Sequence, residues 1–163
     1  MNRIVILCIE DEPEVRDAIE RDLAPFASSF RIEVTGDTAD ARDVLARCEQ
    51  ACDPVGIVIC DHLLPGQHGV DFLVDITGEP GYRRTRKVLL TGQAGHQDTI
   101  RAINEARLNH YISKPWKAEY LRQVVRDQLT EYVIQTQEDL TPYLRSLDAA
   151  KLKEAMAERG MED

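Results

Sequence analysis

The stretch Val55-Gly-Ile-Val-Ile-Cys60-Asp61-His-Leu-Leu-Pro65-Gly-Gln-His-Gly69 is an apolar run that ends abruptly in one carboxylate and passes into a Pro/Gly-rich turn. A short run of β-branched residues bounded by turn signals reads as a strand buried on both faces. Asp61 then stands where the strand leaves the sheet, the edge at which open α/β sheets bind ligands. Most of the chain makes sense as scaffolding that brings other charges to that carboxylate.

Upstream, Arg3-Ile-Val-Ile-Leu-Cys-Ile9 is a second buried strand, ending in Glu10-Asp11-Glu12-Pro13. Pro13 suits the first turn of a helix, and acidic residues beside it favour the positive helix end. Val15, Ala18, Ile19 and Leu23 recur at helical spacing until Pro25. Phe30–Val34 alternates as a strand, and Gly36-Asp37-Thr38 opens a helix with Ala41, Val44, Leu45 and Cys48 on its apolar face. Asp53-Pro54 then turns the chain into the strand that carries Asp61.

Downstream, Gly69 precedes a helix with Val70, Leu73 and Val74 inward, closed by Gly78-Glu-Pro80-Gly81. The basic segment Arg83-Arg-Thr-Arg-Lys87 reads as a solvated loop rather than a binding patch. Lys87–Thr91 is a fourth strand followed by Gly92. Ala94 to Leu108 carries a weaker helical pattern through Ile100, Ile103 and Ala106. His110–Ser113 is a fifth strand closed by Lys114-Pro115-Trp116, and a long helix follows with Leu121, Val124, Val125, Leu129, Tyr132 and Val133 on one side. Five strands alternating with five helices over short connections predict a doubly wound, mostly parallel sheet in one domain.

The totals agree. The 163 residues suffice for one domain with a real core and a small appendage. Apolar (43%) and charged (30%) fractions are those of a globular protein, and no run approaches the length that spans a bilayer. A formal charge of −9 argues against direct nucleic-acid binding. The N-terminus enters a strand-like run directly and offers no small-residue cleavage site, so the expectation is a cytoplasmic protein. Cys8 and Cys60 lie inside strand patterns. Cys48 and Cys52 lack a second ligand pair for zinc, so all four cysteines read as reduced thiols.

Parallel strands share one C-terminal edge. Glu10 and Asp11 after the first strand, Asp61 after the third, Thr91 after the fourth and Lys114 after the fifth therefore converge. Three crowded carboxylates repel unless a cation joins them, and oxygen ligands with open positions suit Mg²⁺. A carboxylate so placed can form an aspartyl phosphate. The metal and the Lys114 ammonium then neutralise charge on the phosphoryl oxygens while the Thr91 hydroxyl donates a hydrogen bond. Gly92 lets a backbone N–H approach the phosphoryl group. Pro115 fixes the turn that aims Lys114, and a cis bond is plausible there.

Glu10-Asp11, Asp61-x-x-Leu-Pro65-x-x-x-Gly69, Thr91 and Lys114-Pro115, in this order and at these intervals, resemble the receiver domain of two-component response regulators. The resemblance covers roughly residues 3 to 130. It implies a flavodoxin-like sheet of order 2-1-3-4-5 and Asp61 as acceptor of a phosphoryl group from a histidine kinase or phosphotransfer protein. It implies Asp11, Asp61, the Leu63 carbonyl and Glu10, directly or through water, as Mg²⁺ ligands. It likewise implies that Thr91 and Lys114 contact the phosphoryl group and that Tyr111 is the aromatic whose rotation accompanies Thr91. Two positions depart from the usual pattern: Glu10 replaces an aspartate, and Gly92 replaces a frequent alanine. His62 reads as an exposed neighbour of the site, and His68, His96 and His110 show no ligand spacing. Trp116 is expected to pack at the start of the last receiver helix.

Past a receiver domain of residues 1–130, residues 131–163 form a helical extension. Glu138–Pro142 looks like a break, with Thr141 as cap and Pro142 at the first helical position. A helix over Tyr143–Arg159 follows, with Leu144, Leu147, Leu152 and Met156 apolar and Gly160 ending it. The extension is too short for an enzymatic output domain and lacks a basic helix-turn-helix. It either docks on its own receiver or builds an intermolecular bundle. The apolar row from Leu121 to Val133 outlasts the sheet and favours a homodimer. The expected function is a response regulator that acts through phosphorylation-dependent contacts with a downstream protein or a second copy. The chain could also be a piece of a larger regulator. An Asp61-nucleophile phosphohydrolase is the alternative from another class, although Leu63 stands where haloacid dehalogenase phosphatases carry a second aspartate. A non-phosphorylated pseudo-receiver scaffold is disfavoured by the complete residue set.

Overall fold

A computed structural model describes residues 2–92 and 95–161. β1 (Val5–Ile9), β2 (Arg31–Thr35), β3 (Val55–Cys60), β4 (Arg86–Leu90) and β5 (His110–Ile112) form one sheet of order 2-1-3-4-5 in which every pairing is parallel. The helices are α1 (Pro13–Leu23), α2 (Thr38–Ala51), α3 (Gly69–Thr77), α4 (His96–Asn104), α5 (Ala118–Thr136) and α6 (Ala149–Met161). This is the flavodoxin-like doubly wound architecture.

Strand pleating divides the core in two. Ile6, Cys8, Ile57, Ile59, Val88, Leu90 and Ile112 face α1, α5 and the C-terminal extension. Val5, Leu7, Ile9, Val58, Cys60 and Leu89 face α2, α3 and the residues of α4 that reach the sheet. The central strands are buried along their whole length, so their apolar runs show no alternation. Asp37 caps α2 by accepting from the Asp40 N–H at 2.8 Å, and Cys52 ends that helix in the left-handed conformation at φ 58°.

Several expectations are corrected. α3 buries Phe72 and Ile76 beside Val70 and Leu73, whereas Val74 is only half-buried. The basic segment is not simply a loop: Arg86 and Lys87 belong to β4, and Lys87 is 3% exposed. Of the weak helical pattern, Ala94 lies outside the described residues. Ile100 and Ile103 are 44% and 55% exposed, because the segment meets the core through Ala102 of α4 and through Ala106, just beyond the helix end.

The extension does not project. α5 continues past the sheet to Thr136, and Leu140, Leu147, Leu152 and Ala155 join the same core cluster as Leu121, Val125, Leu129, Tyr132 and Val133. The residues expected to carry a dimer are therefore covered within the chain, and self-association loses the surface assigned to it. Gly56 makes the contact possible: a Cβ there would lie 2.6 Å from Ile4 and 3.0 Å from Leu129. Tyr143 stacks on Phe30 at 5.8 Å, and the Ser29 and Ser146 hydroxyls lie 2.6 Å apart. Arg159 donates to the carbonyls of Ile134, Gln137 and Glu138, closing the C-terminal end of α5. The last helix starts later than its apolar spacing suggests. Thr141–Tyr143 is a single 3₁₀ turn, in which Asp139 rather than Thr141 supplies the acceptor. Asp148 accepts from the Lys151 N–H and caps α6, which continues through Gly160 to Met161. Met156 lies on the exposed side.

Candidate functional site

Parallel pairing assembles the site. Ile9 sits opposite Cys60, so Glu10 and Asp61 leave adjacent strands at the same level. The Asp61 N–H donates to the Ile9 carbonyl at 3.0 Å, and the Glu10 N–H to Thr35 at 2.9 Å. Across the other side, the Thr91 N–H donates to the Ile112 carbonyl at 3.1 Å, which places Thr91 beside the turn that carries Lys114. That turn holds a cis Lys114-Pro115 bond, in agreement with the reading of Pro115. Trp116 packs against the core and donates from Nε1 to Asp22 at 2.9 Å.

The turn after Asp61 folds back tightly. Gly66 adopts φ 82°, and the Gly69 N–H donates to the His62 carbonyl at 2.8 Å. A Cβ on Gly69 would fall 1.9 Å from the Asp61 carbonyl oxygen and 2.8 Å from Cys60 Sγ. Only glycine admits that approach, which accounts for Gly69 eight residues beyond the carboxylate.

Lys114 Nζ donates to Glu10 Oε2 at 2.7 Å and to Asp61 Oδ2 at 3.1 Å. Glu10, Asp11 and Asp61 each offer a carboxylate oxygen, all within 4.8 Å of one another. Glu10 and Asp61 are buried and Asp11 is exposed at the rim. Burial raises the Glu10 pKa, with Lys114 and the Glu12 N–H opposing it. Burial alone would lower the Lys114 pKa, but the two carboxylates outweigh it and hold the ammonium above the ordinary lysine value. One ammonium cannot balance three carboxylates. Asp61 Oδ1, moreover, is buried and without a hydrogen-bond partner among the described residues. An uncompensated acidic cluster with an orphaned buried oxygen fits a hard divalent cation.

Asp11, Asp61 and Lys114 line a cleft of about 650 Å³ with Leu63, Thr91, Gly92 and Trp116 on its walls. Thr91 is buried. Tyr111 OH donates to the Thr91 carbonyl at 2.9 Å, so the aromatic is tied to the segment it was expected to accompany. Gly92 is exposed, and a Cβ there would meet Lys114 only at ordinary contact distance, 3.5 Å. Leu63 lies at the cleft mouth, its side chain 41% exposed.

Three contributors escaped the sequence reading. His62 is 3% exposed rather than a surface neighbour: Nε2 lies 3.1 Å from Asp98 Oδ2 at the start of α4, and its ring meets that of His68 edge-on at 4.8 Å. The Glu12 N–H donates to Glu10 Oε1 at 3.2 Å, and Arg16 Nη1 reaches the Glu10 and Asp11 carbonyls at 3.2 and 3.4 Å. Arg16 lies one helical turn into α1, a position from which a long side chain can reach back over the loop. That spacing was the available signal.

The response regulator receiver domain family matches residues 6–126. The hydrogenase transcriptional regulatory protein HoxA of Cupriavidus necator is 29% identical over 160 residues, covering 93% of this chain and 31% of its own length. The phosphate regulon transcriptional regulatory protein PhoB of Escherichia coli is 27% identical over 71% of this chain and 47% of its own length. The chain thus spans less than half the length of these relatives. Among solved structures, the signal receiver domain of an HD domain-containing protein from Pseudomonas fluorescens Pf-5 superimposes with a TM-score of 0.72 at 25% identity, covering 85% of this chain and 96% of that one. No helix among the described residues is long and apolar enough to cross a membrane.

Proposed function

The chain belongs to the response regulator receiver domain family, and from that premise we propose that Asp61 accepts a phosphoryl group from a histidine kinase or phosphotransfer protein. The observation that carries this reading is the asymmetry of one carboxylate. Lys114 occupies Asp61 Oδ2, while Oδ1 is buried beside the cleft and without a hydrogen-bond partner among the described residues. In the transfer, an Asp61 oxygen forms a bond to phosphorus as the donor P–N bond breaks. The electron pair of that bond stays on the departing imidazole nitrogen, which then takes up a proton. The Lys114 ammonium offsets charge on the phosphoryl oxygens, the Thr91 hydroxyl donates to one of them, and the Gly92 N–H approaches without steric hindrance. Mg²⁺ held by Glu10, Asp11, Asp61 and the Leu63 carbonyl would supply the further positive charge this chemistry requires.

Side chains capable of acid/base turnover are missing from the Leu63 position, so the protein acts as a phosphoacceptor with at most slow autodephosphorylation, not as a phosphohydrolase. Tyr111, hydrogen-bonded to the Thr91 backbone, reports the state of the site to the β4–β5 side of the sheet. The output is a contact with a downstream protein or a second copy of the chain. The exposed Ile100 and Ile103 on α4 supply apolar surface for it. The receiver acts from the cytoplasm, where its kinase phosphorylates it.

The test is treatment with acetyl phosphate or beryllofluoride and Mg²⁺, read by intact mass and by sedimentation. The expected result is one phosphoryl group per chain, lost in Asp61→Asn and in EDTA. Steady multiple turnover of a phosphoester, or labelling that survives Asp61→Asn, would overturn it.

A further inference from the structure

At the opposite edge of the sheet from Asp61, where β4 and β5 begin, lies a second cleft of about 880 Å³. Arg83, Arg84, Arg86, Lys87 and Arg107 line it, and Gln135 from the end of α5 closes one wall. The protein carries a net charge of −9, so five cations around one cavity run against the overall balance. Elsewhere Arg21, Arg31, Arg42, Arg101, Lys114, Arg122 and Lys151 each pair with a carboxylate. Among the described residues, none of the five cleft cations does. Glu105, the one acid on the lining, is held by Arg101 at 2.9 Å.

Two of the five are desolvated. Lys87 is 3% exposed, and its ammonium donates to the Thr85 carbonyl at 3.3 Å. Burial, with Arg107 and Arg86 nearby, lowers its pKa. Arg86 is half-buried and donates from Nε to Gln128 at 2.8 Å, a neutral partner; the one acid that acts on it, Glu131, is itself paired with Lys151. Taking charges out of water beside like charges is costly unless a counter-charge joins them.

We propose that this cleft binds the polyphosphate group of an anionic ligand. A single carboxylate cannot balance five cations, whereas linked phosphates carry several charges in a small volume. Guanidinium groups match phosphate oxygens in pairs, and Lys87 supplies a point charge at the floor. The cleft is larger than one phosphate and lies within the volume range of small-molecule sites, which leaves room for a nucleoside. The site is independent of Asp61 and shares no residue with the acidic cleft.

Calorimetric titration of the full chain in EDTA, with pyrophosphate, ATP and adenosine as probes, tests the assignment. EDTA removes any cation that could bridge a phosphate to Glu10, Asp11 and Asp61. The expected result is saturable one-site binding of pyrophosphate and ATP and none of adenosine. In Arg83→Gln/Arg84→Gln/Arg107→Gln, whose replaced side chains are all exposed, binding should weaken by roughly tenfold or more. A charge-matched control, Arg47→Gln/Arg145→Gln/Lys153→Gln, should bind as the parent does. ATP binding much more tightly than pyrophosphate would identify a nucleotide, and equal affinities the bare polyphosphate. Absence of saturable binding at millimolar probe, or equal weakening in both variants, would overturn the proposal. Acetyl-phosphate labelling of Asp61 is measured on the same samples, so failure of either site is read separately.

Discussion

Lys114 Nζ bridges Asp61 Oδ2 at 3.1 Å and Glu10 Oε2 at 2.7 Å, joining residues that are 53 and 104 positions away in sequence. The ammonium is the only cation that contacts either buried carboxylate among the described side chains. Lys114→Met would leave the two acids facing each other. Removing one partner of a buried ion pair costs roughly 3 kcal/mol, so urea denaturation in EDTA at neutral pH should show a loss of that order. Divalent cation should restore part of it. A loss unaffected by Mg²⁺ would contradict the metal reading of the acidic cluster.

Asp61→Asn should behave oppositely. It removes one of three mutually repelling carboxylates and leaves Lys114 paired with Glu10. Stability in EDTA is expected to rise slightly, while Mg²⁺ affinity and acetyl-phosphate labelling both fall. Parallel thermal melts and metal titrations separate this result from simple misfolding.

Two glycines at the site make unequal demands. At Gly69 an added Cβ meets the Asp61 carbonyl oxygen at 1.9 Å, backbone that cannot move aside. Gly69→Ala should cost about 3 kcal/mol and disturb labelling of Asp61. At Gly92 the same Cβ finds Lys114 at 3.5 Å. Gly92→Ala should change stability by less than about 0.5 kcal/mol. Its effect should fall on the lifetime of the acyl phosphate, because the methyl group narrows access to the phosphoryl group.

The strand ends were legible because each β-branched run stops at a polar residue. Parallel order then places those residues on one edge whatever the intervening sequence. Glu10, Asp11, Asp61, Thr91 and Lys114 could therefore be grouped without coordinates. Burial at helix surfaces was less legible. Ile100 and Ile103 carry the helical period yet face outward, because the small Ala102 and Ala106 make the contact with the core. Lys87 looked like part of a solvated run because charge is read locally, whereas its burial depends on β4 pairing with β3, where it lies opposite Val58. The apolar row of α5 was read correctly as a surface in need of cover. Its cover comes from Leu140, Leu147 and Leu152 in the same chain, and apolar spacing alone does not distinguish a folded-back helix from a second copy.

Lys87 also yields a pH prediction. Its folded-state pKa lies below the ordinary lysine value, so between the two values the unfolded chain binds more protons and stability rises with pH. Below the folded value the buried charge is fully destabilising. Lys87→Met should accordingly stabilise the protein at neutral pH, and the gain should shrink as the pH climbs towards 10. Denaturation of both proteins across that range checks the sign, and a gain that grows with pH would refute it.

The extension offers the sharpest test of where the folding unit ends. Leu152 is fully buried in the same cluster as Leu129 and Val133, and Arg159 ties α6 to three carbonyls at the end of α5. Deleting a buried leucine side chain costs about 2–5 kcal/mol where the surrounding structure is fixed, but next to nothing on a loosely attached helix. Leu152→Ala should therefore lower the stability of the whole domain within a single cooperative transition. Arg159→Ala should cost about 1.5–3 kcal/mol through the lost charge-assisted bonds. Truncation after Gln137 would uncover Tyr132 and Val133 and should produce a destabilised chain that self-associates, detectable by sedimentation. The intact chain should sediment as the smaller species at equal concentration. A truncated chain as stable and as monomeric as the parent would show that α6 is not part of the core.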